Sequence, residues 1–85
     1  MKIINSHNFS LKNDIHSTIK DLIHLYHQDL LSLESQINSF LSSLKSQNLI
    51  DDWHFMADPN SIDLSFIIEV FDINGYPMEF FFSLP

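Results

Sequence analysis

His54, Asp63 and Ser65 are of the three residue types that a hydrolase triad combines. A triad also needs a strained turn that presents the nucleophile and main-chain donors for an oxyanion hole, and the spacing here indicates neither. Glu69 and Glu79 are a second candidate, because two neighbouring carboxylates can share a proton and do acid–base work. On an open sheet face they would have no cleft to enclose a substrate. The sequence therefore predicts no enzyme and no catalytic residue.

Five histidines are a further chemical signal, because imidazole is a common metal ligand. Three of them share one helical stripe with a lysine: His16, Lys20, His24 and His27. His24 and His27 are one turn apart and could supply two ligands, but a structural zinc site needs four and the chain has no cysteine. We expect a polar helix edge here, with no metal and no cofactor.

The composition excludes several classes of function. The chain has 85 residues, a single glycine and a formal charge of −7, with four lysines and no arginine. The length predicts one domain over residues 1–85, and one glycine excludes a glycine-rich phosphate loop. The negative charge argues against direct binding of nucleic acid. No apolar run suits a membrane span or a signal peptide, so we expect a cytoplasmic protein with no membrane partner.

The negative charge is concentrated in the second half of the chain. Residues 1–48 hold four acidic residues and four lysines, whereas residues 49–85 hold seven acidic residues and no lysine or arginine. Eight of the eleven aromatic residues also lie in residues 49–85. The surplus charge and most aromatic side chains therefore belong to the same part of the fold.

Apolar residues recur at steps of three and four through residues 14–47, which predicts one long amphipathic helix. Residues that could cap its start are Ser10, Asn13 and Asp14. Asn48 could end it in the left-handed conformation, with Leu49 folded back. A break near His27–Gln28 is the alternative. Unbroken, the helix would span about 51 Å and overhang strands of about 36 Å, so a second copy of the helix could cover the overhang as a homodimer.

Apolar residues alternate with other residues from Ile62 to Phe71, which predicts a strand between turns at 57–60 and 73–75. Flanking strands at 50–56 and 76–84 complete a three-stranded antiparallel meander. The predicted class is thus α+β, in the order α-β-β-β, with residues 1–13 preceding the helix.

The register follows from burial. A three-residue loop with Gly75 in the left-handed region pairs Val70 with Met78, Ile68 with Phe80, Phe66 with Phe82 and Leu64 with Leu84. A four-residue loop at 57–60 pairs Phe55 with Ile62 and Trp53 with Leu64. The helix then covers a core face made of Trp53, Phe55, Ile62, Leu64, Phe66, Ile68, Val70, Met78, Phe80, Phe82 and Leu84.

The opposite face is acidic and aromatic in this register. His54 is expected opposite Asp63, and Glu69 opposite Glu79, although directly opposed like charges destabilise a sheet. A face made for a basic partner would explain this arrangement; an ordinary solvated face with screened repulsion is the alternative. The predicted partner-binding residues are Asp52, His54, Asp63, Ile67, Glu69, Phe71, Glu79 and Phe81.

These features predict a non-catalytic acidic module that occupies a basic surface of a protein that handles nucleic acid. Small inhibitors of the phage anti-defence or anti-CRISPR type, immunity proteins and antitoxins work in this way. The alternative is a structural or assembly subunit or chaperone, of a phage particle or a secretion system, that forms an obligate helix-mediated oligomer.

Overall fold

The computed structural model describes residues 4–57 and 65–84, which form two helices followed by a three-stranded antiparallel sheet. The helices are α1 (Ile4–Tyr26) and α2 (Leu30–Ser46), and the strands are β1 (Ile50–Ala57), β2 (Ser65–Asp72) and β3 (Pro77–Ser83). Each strand pairs with the next along the chain, in the order β1-β2-β3. The predicted α+β class and the three-stranded meander are confirmed.

The single helix predicted over residues 14–47 is wrong, because the chain breaks after Tyr26 and forms two helices. α1 also begins at Ile4, so the three predicted capping positions lie inside it. The two helices pack against each other, with α1 on β3 and α2 on β1. The continuous helix, whose overhang was the reason to expect a helix-mediated dimer, is therefore absent. Within the described residues, neither helix has the length and apolar composition to cross a bilayer.

Two polar side chains hold the break between the helices. The Nδ1 of His27 bonds to the carbonyl oxygens of Ile23 (3.1 Å) and His24 (3.2 Å) in the last turn of α1. Asp29 is the N-cap of α2: it accepts bonds from the Ser32 N–H (3.2 Å) and the Ser32 hydroxyl (2.9 Å). These bonds, led by the one from the hydroxyl, lower the pKa of Asp29 below its ordinary value. A local side chain thus caps each helix end at the break.

The end of α2 is as predicted. Asn48 lies in the left-handed region at φ 60°, and the N–H of Leu49 bonds to the carbonyl of Leu44 at 3.0 Å. This bond, together with the one from the Asn48 N–H to Lys45 O at 3.0 Å, closes the helix and turns the chain into β1.

The core lies between the two helices and one face of the sheet. Its buried members are Leu11, Ile15, Ile19, Ile23, Leu33, Ile37, Leu41, Ile50, Ile68, Val70, Phe80 and Phe82. Trp53, Phe55, Phe66, Met78 and Leu84 pack against them and are partly buried. The predicted core face is confirmed where the structure describes it, and the predicted core residues Ile62 and Leu64 lie outside the described residues.

The predicted pairing of β2 with β3 is confirmed: Val70 pairs with Met78, Ile68 with Phe80 and Phe66 with Phe82. Gly75 has φ 85°, which a three-residue loop with a left-handed last position requires. The Asp72 carboxylate also accepts bonds from the N–H groups of Asn74 (2.9 Å) and Tyr76 (3.0 Å). The burial of alternate side chains and the residues of the turn therefore favour the same register.

The predicted pairing of β1 with β2 is wrong. Trp53 pairs with Val70 and Phe55 with Ile68, rather than with Leu64 and Ile62. The observed pairing is shifted by six residues along β2 from the predicted one. As a result, β1 pairs with β2 from Phe66 to Asp72. An even offset keeps every side chain on its predicted face, so burial does not distinguish the two registers.

A bulge in β1 explains how Ile50 enters the core. The register shifts between Ile50, which pairs with Asp72, and Asp52, which pairs with Phe71, so Asp51 is the extra residue. Without the bulge, strand alternation would place Ile50 on the same face as Asp52. With it, Ile50 is buried while Asp51 and Asp52 are exposed.

Candidate protein-binding face

The side of the sheet turned away from the helices carries the candidate site, and we call it the outer face. It consists of Asp52, His54, Met56, Ser65, Ile67, Glu69, Phe71, Pro77, Glu79, Phe81 and Ser83. The strand pairing arranges these residues in rows that run across the sheet. One polar row lies between two largely apolar rows, a pattern that strand alternation alone does not reveal.

The polar row is His54–Glu69–Glu79, in which each residue is directly opposite the next. The Nε2 of His54 lies 2.8 Å from Oε1 of Glu69, whose side chain is only 19% exposed. Glu79 is exposed and takes part in neither ion pair of the described residues. The row therefore presents one carboxylate held by a histidine and a second carboxylate free to meet a cation.

Apolar side chains flank the polar row on both sides. Met56, Ile67 and Phe81 form one flanking row; the first two are half-buried, whereas Phe81 is 62% exposed. Phe71 and Pro77 lie in the other row, and the Phe71 ring is 5.8 Å from the His54 ring. The two rows place hydrophobic contact area next to the charges, and they include phenylalanine and methionine, which are enriched in protein interfaces.

Asp52 belongs to the edge of the outer face. It is opposite Phe71, and its Oδ1 accepts a bond from the Trp53 N–H at 2.9 Å and lies 3.9 Å from Nζ of Lys45. Both members of this ion pair are mostly exposed, so it contributes little to stability. Lys45 reduces the negative potential at this corner and leaves Glu79 and Glu69 as the acidic centre.

Seven of the eight predicted partner-binding residues lie in three adjacent rows: Asp52, His54, Ile67, Glu69, Phe71, Glu79 and Phe81. Asp52 lies at the margin, and Asp63 lies outside the described residues. The predicted pairing of His54 with Asp63 is wrong, because the β1–β2 offset places His54 opposite Glu69. Met56 and Pro77 were not predicted, although strand alternation from His54 and Glu79 places both on this face.

The histidines of the helical stripe have separate surroundings. His27 bonds to the end of α1, and His16 stacks on Phe82 with ring centroids 5.2 Å apart. In the part of the chain that the structure describes, no three histidine, aspartate or glutamate side chains converge as metal ligands. This includes the row of His54, Glu69 and Glu79.

Comparisons of the chain with protein-family models, with curated proteins and with solved structures give no match. The outer face combines two opposed carboxylates with flanking apolar rows on the side of the sheet away from the helices.

Proposed function

We propose that this chain is a non-catalytic acidic protein-binding module, and that its outer face binds a basic surface of a protein partner. The observation that carries the proposal is the direct opposition of Glu69 and Glu79 between apolar rows, on the sheet face away from both helices. The proposed contact residues are His54, Met56, Ile67, Glu69, Phe71, Pro77, Glu79 and Phe81, with Asp52 at the margin and Asp63 as a further acidic residue.

Folding alone gives no reason for this face. Directly opposed carboxylates repel each other and weaken a strand pair, whereas a threonine or lysine at either position would strengthen it. Phe81 exposes most of its ring on the same surface. Both features cost stability or solubility in the free protein, and both become favourable when a cation and an apolar surface cover them.

The rows suggest how a partner is held. An arginine or lysine of the partner meets the Glu79 carboxylate, and arginine can bind it through two parallel hydrogen bonds. The apolar rows on either side then exclude water from this ion pair, which strengthens it and makes Phe81 the anchor of the complex. The seven acidic residues of positions 49–85 steer the encounter at a distance.

A partner with such a basic surface is typically a protein that handles nucleic acid, because clustered lysine and arginine form the footprint for phosphates. A module of 85 residues bound to that surface would compete with the nucleic acid. The proposed role is therefore that of a small inhibitor of the anti-defence, anti-CRISPR, immunity or antitoxin type, acting in the cytoplasm where such partners work.

A structural or assembly role is the second candidate. Leu25 and Leu31 are 74% and 80% exposed near the connection between the helices, and such leucines suit a helix-mediated contact with another subunit. That contact would be apolar and insensitive to salt, whereas the outer-face contact would weaken as salt increases.

Affinity capture from the native host tests the proposal, with the wild-type chain, Glu79→Lys and Glu34→Lys as baits. Glu34 is an exposed glutamate of α2, so its reversal makes the same charge change away from the outer face. We expect the wild type and Glu34→Lys to retain one basic protein that Glu79→Lys loses. Retention of the same protein by all three baits at equal yield would refute the proposal.

A further inference from the structure

β3 is an edge strand whose outer edge pairs with no strand among residues 4–57 and 65–84. The N–H of Asp72 bonds to the carbonyl of Tyr76 at 2.9 Å, and hydrogen-bonded pairs with β2 alternate from there. By this alternation, three amide groups point away from β2: those of Glu79, Phe81 and Ser83. Pro77 has the same outward orientation, in which a proline removes no hydrogen bond from the sheet. The free edge therefore offers three donors in a regular extended array.

A stripe of basic side chains runs along α1 beside this edge. It consists of Lys12, His16, Lys20 and His24, spaced every four residues, and we call it the basic stripe. Two grooves, of about 450 and 360 Å³, lie between the stripe and β3 and share His16 and Phe81 as lining residues. Their walls include residues from both faces of β3, so the grooves wrap around its free edge.

We propose that the β3 edge and the basic stripe bind an extended acidic segment of a protein, which adds to the sheet as a fourth strand. Main-chain hydrogen bonds to a free strand edge give affinity, and side chains of alternate residues give specificity. Side chains of the segment on the helix side meet Lys12 and Lys20, and those on the other side lie beside Phe81. The segment thus has acidic residues at every second position and apolar residues between them. This site differs in charge from the outer face, and the two adjoin along β3, where both include Glu79 and Phe81.

Charge decides between an acidic segment and a second copy of the chain. Antiparallel pairing of two β3 strands about a two-fold axis would bring the two basic stripes together, and like charges across such a contact repel. The carboxylate that lines these grooves is that of Glu79, which lies on the outer face near the Lys12 end. On the helix side, the grooves are lined by the basic stripe together with Asn13 and Ile23, and none of these residues is acidic. An acidic strand is therefore the complementary occupant.

Synthetic peptides test the site without knowledge of the natural partner. The probes are an eight-residue peptide of alternating valine and glutamate, its valine–lysine counterpart, and the glutamate peptide with N-methyl groups on the amides that would face β3. We expect the glutamate peptide to shift the amide resonances of Glu79, Phe81 and Ser83 and to slow their hydrogen exchange. N-methylation removes the donors of the peptide and should abolish binding while leaving the protein unchanged.

Charge variants complete the test. Lys20→Glu should weaken binding of the glutamate peptide about tenfold, whereas Lys45→Glu, the same change on α2, should leave it unchanged. Circular dichroism checks that both variants fold. If one variant does not fold, the comparison of the glutamate peptide with its N-methylated form still tests the proposal, because it uses the wild-type protein. Equal binding of the N-methylated or lysine peptide, absence of shifts in β3, or a β3-paired dimer in sedimentation would each overturn the proposal.

Discussion

The two faces of the sheet are formed by the same three strands but differ in composition and in what covers them. The inner face is apolar and is covered by both helices, so its residues satisfy what folding requires. The outer face alternates with it residue by residue, yet it carries two opposed glutamates and an exposed phenylalanine that folding does not require. Substitutions at neighbouring residues in one strand, such as Ile67 and Ile68, can therefore separate effects on stability from effects on the proposed binding.

The largest expected effect is the loss of a buried side chain from the inner face. Ile68 is fully buried, so Ile68→Ala should lower the free energy of unfolding by about 2–5 kcal/mol. Ile67→Ala, one residue away on the outer face, should cost at most about 1 kcal/mol. Urea denaturation of both variants measures the difference. Equal losses would mean that the outer face is also part of a core.

The next effect concerns binding. Phe81→Ala should weaken partner binding by about 2 kcal/mol, roughly thirtyfold, because an exposed aromatic residue beside an ion pair acts as an anchor. Its free energy of unfolding should change little, since most of the ring is already in water. Isothermal titration with the captured partner gives the affinity. Unchanged affinity would remove Phe81 from the contact and leave the apolar rows without a role in it.

A smaller effect is a gain of stability. Glu79→Lys replaces a like-charge pair with an opposite-charge pair across β2 and β3, which should raise the free energy of unfolding by about 0.2–1 kcal/mol. Glu34→Lys, on α2, should remain within about 0.5 kcal/mol of the wild type. If Glu79→Lys proves less stable than the wild type, the opposed glutamates do not destabilise the folded protein.

The smallest effect belongs to the helix layer that covers the inner face. The hydroxyl of Ser32 and its N–H lower the pKa of Asp29 in the folded chain, so the unfolded chain binds more protons as the pH falls below about 4. The stabilisation from Asp29 is thus present above that pH and is lost as the pH falls through the folded pKa. Asp29→Asn, which keeps a good N-cap, should flatten the decline of Tm between pH 5 and pH 2.

Acid titrations of Tm for the wild type and Asp29→Asn, followed by circular dichroism, check this pH dependence. Near pH 7 the two curves of Tm against pH should have the same slope. Their slopes should differ only under acid conditions. Identical slopes throughout would mean that the cap contributes no proton linkage.

The sequence predicted the features that burial and turn chemistry determine. The β2–β3 register, the core face and the end of α2 at Asn48 follow from which side chains must be buried and from residues that accept a positive φ. The same reasoning assembled most of the outer face. Strand alternation alone was thus enough to assign these side chains to the inner or the outer face of the sheet.

The sequence did not predict the features that the burial of side chains leaves undetermined. A six-residue offset between β1 and β2 preserves every face, so hydrophobic pattern could not distinguish it, and His54 was paired with the wrong residue. The apolar stripe continues across residues 27–29, so the pattern favoured one helix and left a break near His27–Gln28 as the alternative. The structure has the break there, with His27 and Asp29 as the capping residues. The bulge at Asp51, which brings Ile50 into the core, also leaves no simple periodic signal.

The central claim is that the outer face is made for a basic partner, and a salt titration of binding tests it most directly. The captured partner is titrated with the wild type and with Glu79→Lys over a range of NaCl concentrations. We predict that wild-type affinity falls as salt increases, and that Glu79→Lys binds more weakly at low salt with a flatter dependence. Equal affinities and equal salt dependences for the two chains would contradict the account.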